Sequence, residues 1–312
     1  MIKKARYFLE YVFLRAVVFF LNMLSDNAIR RVASAAGFLW YGIDTKRRGV
    51  ARRNIDYAFP EMSDDEKKGI LRDSYKNIIE TFIAFPRISR FNSENIKDIF
   101  EFQCEEYYEE ALKRGKGVFL LTGHHGNWEF AAAAHSIKHG GMVAVAKDIH
   151  NPYINAYIKA LRRGVGMDVV RPRNAVFKLM RSLKQGRTIA MLLDQNTLKH
   201  EAVFVKFFGR PAATQYAMAL MALKTGAAVV PGYIVRGRNG KGYVIRYERP
   251  IFVEDGGDKE RAIVEWTQHF TSVLEAHIRM APAQWFWVHD RFKTKPGPDG
   301  RGPHFPPQGG RA

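Results

Sequence analysis

A chain of 312 residues with 46% hydrophobic and 13% aromatic side chains can bury a substantial core, which excludes a disordered protein. Its formal net charge of +18 calls for an acidic partner: nucleic acid, an anionic lipid surface, a phosphorylated substrate or an acidic carrier protein. The single cysteine, Cys104, excludes an internal disulfide framework and fits a reducing compartment.

Lys3, Lys4 and Arg6 precede an apolar stretch, Tyr7 to Leu24. It imitates a signal peptide, and Ala33-Ser34-Ala35 imitates a cleavage site, but Asp26, Arg30 and Arg31 intervene where charge is disfavoured. Glu10 and Arg15 leave an uncharged run of only Ala16 to Ser25, short of the roughly 20 apolar residues that span a bilayer. The stretch therefore predicts a helix that enters or lies along the membrane interface, with a plain core helix as the alternative. A second helical pattern follows through Ile29, Val32, Ala36, Leu39 and Trp40. The basic cluster Lys46-Arg47-Arg48 with Arg52-Arg53 then suits anionic headgroups. Ser63 and Glu66 form a capping box ahead of the apolar stripe Ile70, Leu71, Tyr75, Ile78 and Ile79. Residues 1–95 thus read as helical and membrane-associating.

From about residue 100 strands and helices alternate, and 96–294 reads as one α/β core with a mixed, mostly parallel sheet flanked by helices. Helix 105–113 leads to an apolar strand at 118–122 and then to the turn Gly123-His124-His125-Gly126-Asn127-Trp128-Glu129. Further strands are predicted at 142–146, 168–170, 188–193, 228–235 and 243–247, the last two joined through the hairpin signal Asn239-Gly240 into an antiparallel edge of the sheet. The run 188–193 has no polar alternation, so it is a central strand covered on both faces, delivering Asp194-Gln195-Asn196 to the sheet edge where His124 emerges. Asn151-Pro152 starts a helix with a buried stripe of Ile154, Tyr157, Ile158 and Leu161. Another helix runs from Asn174 to Lys184, Thr214 caps one over 215–224, and a long amphipathic one covers 258–280. The tail, 295–312, reads as disordered.

The turn after the first core strand carries the chemistry. A histidine and a glutamate five residues apart face about 140° away from each other on one helix, so they meet only if His124 stays in the loop. Asn127 as N-cap sets Glu129 in the first helical turn, where the dipole favours a carboxylate. Such a carboxylate can orient the imidazole of His124 as a general base. Backbone N–H groups at Asn127–Glu129 are candidates to hold an oxyanion. There is no GxSxG elbow and no phosphate-cradling glycine motif. A metal reading has His124, His125, Glu129, His135 and His139 to draw on, but these cannot converge without distortion, so neither metal nor cofactor is expected. Arginines at 162, 163, 171 and 173 are candidates to clamp phosphates. No nucleic-acid-binding motif accompanies the charge.

The run Gly-His-His-Gly-Asn-Trp-Glu at 123–129 resembles the HX4(D/E) signature of the bacterial lipid A biosynthesis acyltransferases, the late lauroyl/myristoyl transferases, which are related to the glycerolipid acyltransferases. Similar features follow in order: Asn151-Pro152, Arg162-Arg163, Arg171, Asp194-Gln195, Phe207-Phe208-Gly209-Arg210-Pro211 with Thr214, and Gln284 to Lys293. The resemblance implies acyl transfer from acyl carrier protein or a CoA thioester to a glycolipid hydroxyl at the cytoplasmic face of the inner membrane. It implies His124 as base with Glu129 its partner, Arg162 or preferably Arg163 as substrate-binding arginine, and Asp194 as a supporting acid. The family also contains transferases acting on phosphatidylinositol mannosides and other phospholipids. From another class, the competing expectation is a non-catalytic basic protein bound to membrane surfaces or nucleic acid.

Overall fold

The computed structural model of the protein describes residues 2–172, 175–237 and 242–297. Arg173, Asn174, the Asn239-Gly240 hairpin signal and most of the proposed tail lie outside them. Four helices lead: α1 (Ile2–Met23), α2 (Asp26–Ile43), α3 (Thr45–Ala58) and α4 (Asp64–Ala84), then a 3-10 segment, Phe85–Arg90, and the short α5 (Ile96–Ile99). The core runs β1 (Phe100–Gln103), α6 (Glu105–Lys113), β2 (Val118–Thr122), α7 (Trp128–His139), β3 (Met142–Val145), α8 (Pro152–Gly164), β4 (Met167–Val170), α9 (Ala175–Lys184) and β5 (Thr188–Leu192). It continues with β6 (Ala202–Phe207), β7 (Arg210–Gln215), α10 (Ala217–Thr225), β8 (Ala228–Arg236), β9 (Tyr243–Tyr247) and α11 (Lys259–Met280).

Among the described residues, seven strands form one sheet in the order β1-β9-β8-β2-β5-β3-β4, parallel throughout except where β9 turns back on β8. This is the expected mixed, mostly parallel sheet, and β5 is central as its unbroken apolar run required. Alternation along the strands divides the core. Leu120, Ala190, Met142 and Ile245 face α7 on one side, while Phe119, Leu121, Ile189 and Met191 face α9, α10 and α11 on the other. Three expectations change. Thr214 caps no helix but lies in β7, which pairs with β6 as a separate two-stranded hairpin. The antiparallel β9 is not an edge, because β1 adds in parallel beyond it. The α8 stripe is only half-buried, with Ile158 and Leu161 packed on the periphery of the core.

The N-terminal helices are tied to this core. Ser63 and Glu66 close the capping box of α4. A Cβ at Gly37 would lie 2.8 Å from Lys76 Cα, so α2 and α4 cross in backbone contact that only glycine permits there. Arg87 donates to the carbonyls of Leu21 (2.9 Å) and Leu24 at the end of α1, covering acceptors that a helix terminus leaves open. The outer side of α1 is apolar and bare: Leu9, Phe13, Phe19, Phe20 and Met23 are each between 63% and 71% exposed. No helix among the described residues is long and apolar enough to cross a membrane.

Candidate active site

Strand β2 ends in the loop 123–127, whose backbone is fixed from both sides. Asn127 caps α7, its Oδ1 accepting from Phe130 N at 3.1 Å. Gly126 has φ +58°, and a Cβ there would lie 2.4 Å from the Ile234 carbonyl oxygen. The segment after α11 clamps the loop: Gly126 N donates to Gln284 O (2.9 Å) and Phe286 N to His124 O (3.1 Å).

His124 Nδ1 stands 2.9 Å from Asp194 Oδ1, and its backbone N–H donates to Asp194 Oδ2 at 2.7 Å. Trp285 Nε1 donates to that second oxygen, also at 2.7 Å. Burial alone would raise the pKa of Asp194; the facing imidazole and the three donors outweigh it and hold the carboxyl down to about 2. With a Nδ1 proton on the carboxylate, the neutral ring carries its lone pair on Nε2, as a general base requires.

The expected pairing of His124 with Glu129 is therefore corrected. Strands β2 and β5 are in register at Thr122↔Leu192, and two further residues along each bring position 124 beside 194. Glu129, at the second position of α7, is instead held by Arg162 of α8, whose Nε donates to Oε2 at 3.2 Å and whose Nη2 donates to Oε1. Of the two arginines, Arg162 lines the cavity beside Glu129, whereas the preferred Arg163 does not. Arg163 is exposed on a groove along β4 with Lys159, Lys178 and Arg181. Arg171 lies past the end of β4, its Nε 2.5 Å from Asp148. Gln195 is half-buried directly after Asp194.

His124, Trp128, Glu129 and Arg162 line one cavity of about 160 Å³ between α7 and the sheet. Small side chains open it: Ala131 and Ala132 from α7, Ala144 from β3 and Ala190 from β5. From Glu129 to His135, which also lines it, α7 advances about 9 Å. There His135 Nδ1 meets Tyr247 OH at 2.8 Å. Among the described residues no group of three or more His, Cys, Asp or Glu is placed to hold a metal.

Sequence reasoning assigned no role to Trp285, Phe286 or His289. Phe286 packs 6.0 Å from the His124 ring and from Trp128. His289 Nε2 accepts from Asn196 N at 3.0 Å, and burial pushes its pKa down to about 4, so the ring is neutral. The aromatic and charged run 284–293 was the available signal; its contact with Asp194 was not readable from spacing.

The family described as Bacterial lipid A biosynthesis acyltransferase matches residues 2–294. The chain is 27% identical over 304 residues to the lipid A biosynthesis lauroyltransferase of Escherichia coli K12, covering 93% of each chain. It is 25% identical over 276 residues to a lipid A biosynthesis acyltransferase of Haemophilus influenzae, covering 86% of this chain and 85% of that one. Identity to the lipid A biosynthesis myristoyltransferase of Escherichia coli K12 is 22% over 273 residues, 87% of this chain and 82% of the other.

Proposed function

The chain belongs to the bacterial lipid A biosynthesis acyltransferase family, and on that premise we propose that it moves a fatty acyl group from an acyl-carrier-protein or CoA thioester to a hydroxyl of a lipid A precursor or related glycolipid, with His124 as general base oriented by Asp194. The observation that carries this reading is the His124–Asp194–Trp285 hydrogen-bonded set at an apolar cavity. His124 Nε2 takes the hydroxyl proton as the oxygen attacks the thioester carbonyl. The tetrahedral intermediate collapses, the thiolate leaves, and it recovers that proton from the imidazolium. First-turn N–H groups at Trp128 and Glu129 have no intrahelical acceptor and support a developing oxyanion. The apolar cavity takes the acyl chain. Glu129 holds Arg162 at the site, where the guanidinium meets the anionic acceptor; Arg171 at the strand edge adds a second cation.

The setting we propose is the cytoplasmic face of the inner membrane, with the bare apolar side of α1 lying in the interface. The test is acyl transfer by purified variants, read by mass spectrometry of the lipid. His124→Ala and Asp194→Asn should each lower kcat by about 10²–10⁴-fold. Glu129→Gln should instead act mainly on the acceptor's KM. Full turnover in His124→Ala removes the mechanism, and a kcat loss in Glu129→Gln equal to that in Asp194→Asn removes the assignment of roles.

A further inference from the structure

Outside the N-terminal helices, several large apolar side chains stand in solvent at one place in the fold. Ile149 (39% exposed) lies in the loop after β3, and Tyr153 (38%) opens α8. Val176 (40%) and Phe177 (76%) form the first turn of α9, after β4. Leu198 (61%) ends the loop that follows β5. Strands β2, β3, β4 and β5 are parallel, so all of these positions sit at the sheet edge where β2 delivers His124. Single exposed apolar residues need no explanation, but a set gathered on one edge around a reactive group does.

Helix α1 is seated on the same edge. Asn151 Nδ2 donates to Tyr7 O at 2.8 Å, Tyr7 packs on His150 at 5.6 Å, and Phe8 packs on Tyr153 at 5.6 Å. The bare stripe of α1 thus continues toward the rim of the cavity. Exposed cations are interleaved with the apolar groups on the same loops: Lys147 after β3, Lys178 in α9 and Lys199 after β5. Apolar side chains set among lysines match an anionic bilayer, whose headgroups take the ammonium groups while the rings and branched chains enter the acyl boundary.

We propose that this rim is a second bilayer contact, separate from α1, which seats the mouth of the active-site cavity in the headgroup layer so that a lipid hydroxyl reaches His124 without leaving the membrane. The proposal rests on the lipid-acting reading above. Its test attaches a nitroxide to Phe177→Cys or Leu198→Cys in the full-length Cys104→Ser protein bound to phosphatidylglycerol/phosphatidylcholine vesicles. Labels at Phe13→Cys on α1 and at Lys113→Cys, beside the opposite sheet edge, serve as references. Relative accessibility to oxygen and to a water-soluble nickel complex should place the labels at 13, 177 and 198 in the apolar layer and that at 113 in water. A buried label at 13 with aqueous labels at 177 and 198 would overturn the rim contact and leave the membrane reading standing. Aqueous labels at all three would overturn both. As a second measurement, Phe177→Asp with Leu198→Asp should weaken vesicle binding about tenfold or more, with circular dichroism unchanged. Wild-type vesicle affinity in that variant would refute the contact.

Discussion

A carboxylate shut away from water stays ionised only if its surroundings supply what water would, and Asp194 obtains this from one imidazole, one backbone N–H and one indole. The consequence for stability has a definite sign. Asp194 is ionised in the folded protein down to about 2 but only to about 3.8 when unfolded, so its contribution is complete above that range and lost as pH falls through it. The loss is about 2 kcal/mol. His125 acts higher on the scale: buried with its Nε2 on the Ala281 carbonyl, its pKa is pushed by burial from 6.5 to about 4. The unfolded chain binds that proton first, so stability falls as pH drops from 6.5 toward 4, by about 3 kcal/mol at most. Urea unfolding across that window should show the decline, and His125→Gln should make it shallower, leaving the share of His289, which burial also pushes to about 4.

At the scale of elements, what the sequence made legible is what local pattern encodes. The apolar runs of β2 and β5, the Ser63 capping box and the Asn151-Pro152 helix start all stand where periodicity and capping chemistry put them. Strand β1 is not legible because, unlike the equally short β3 and β4, it carries only two apolar residues, Phe100 and Phe102, set between polar ones. The β6–β7 hairpin was hidden by its turn. Phe208 (φ +48°) and Gly209 (φ +73°) occupy the two central positions with positive φ, where Asn-Gly is the usual signal; packing of Phe208 on Phe59 and Trp287 holds the unusual residue there. His124 and Glu129 were singled out by their turn, whereas the pairing of His124 with Asp194 depends on strand register, which spacing along the chain does not contain. The cavity is likewise a property of facing elements, made by alanines on α7, β3 and β5. Ala190→Leu should fill part of it and move the preferred acyl donor to a shorter chain, at a stability cost of about 1–3 kcal/mol. A panel of acyl thioesters of graded length, followed by mass spectrometry, checks this; an unchanged length preference would mean that the chain binds elsewhere.

For the whole molecule, the proposed membrane setting draws together the excess of positive charge and the bare helix α1. Binding to anionic vesicles should weaken several-fold between about 0.05 and 0.5 M salt, as screening shortens the reach of the lysines and arginines, while an apolar component persists. Sedimentation with vesicles at graded salt measures both parts, and salt-independent binding would assign the attachment to apolar contact alone. The final described segment also spans great sequence distance. Asn54 Nδ2 donates to the carbonyls of Trp287 (2.8 Å) and His289 (2.7 Å), and Trp285 reaches Asp194. The surroundings of His124 are thus completed by segments more than two hundred residues apart: Asn54 fixes 287 and 289, and Trp285 beside them reaches Asp194. A ribosome that has not yet passed Trp285 therefore carries a chain whose Asp194 still lacks its indole donor.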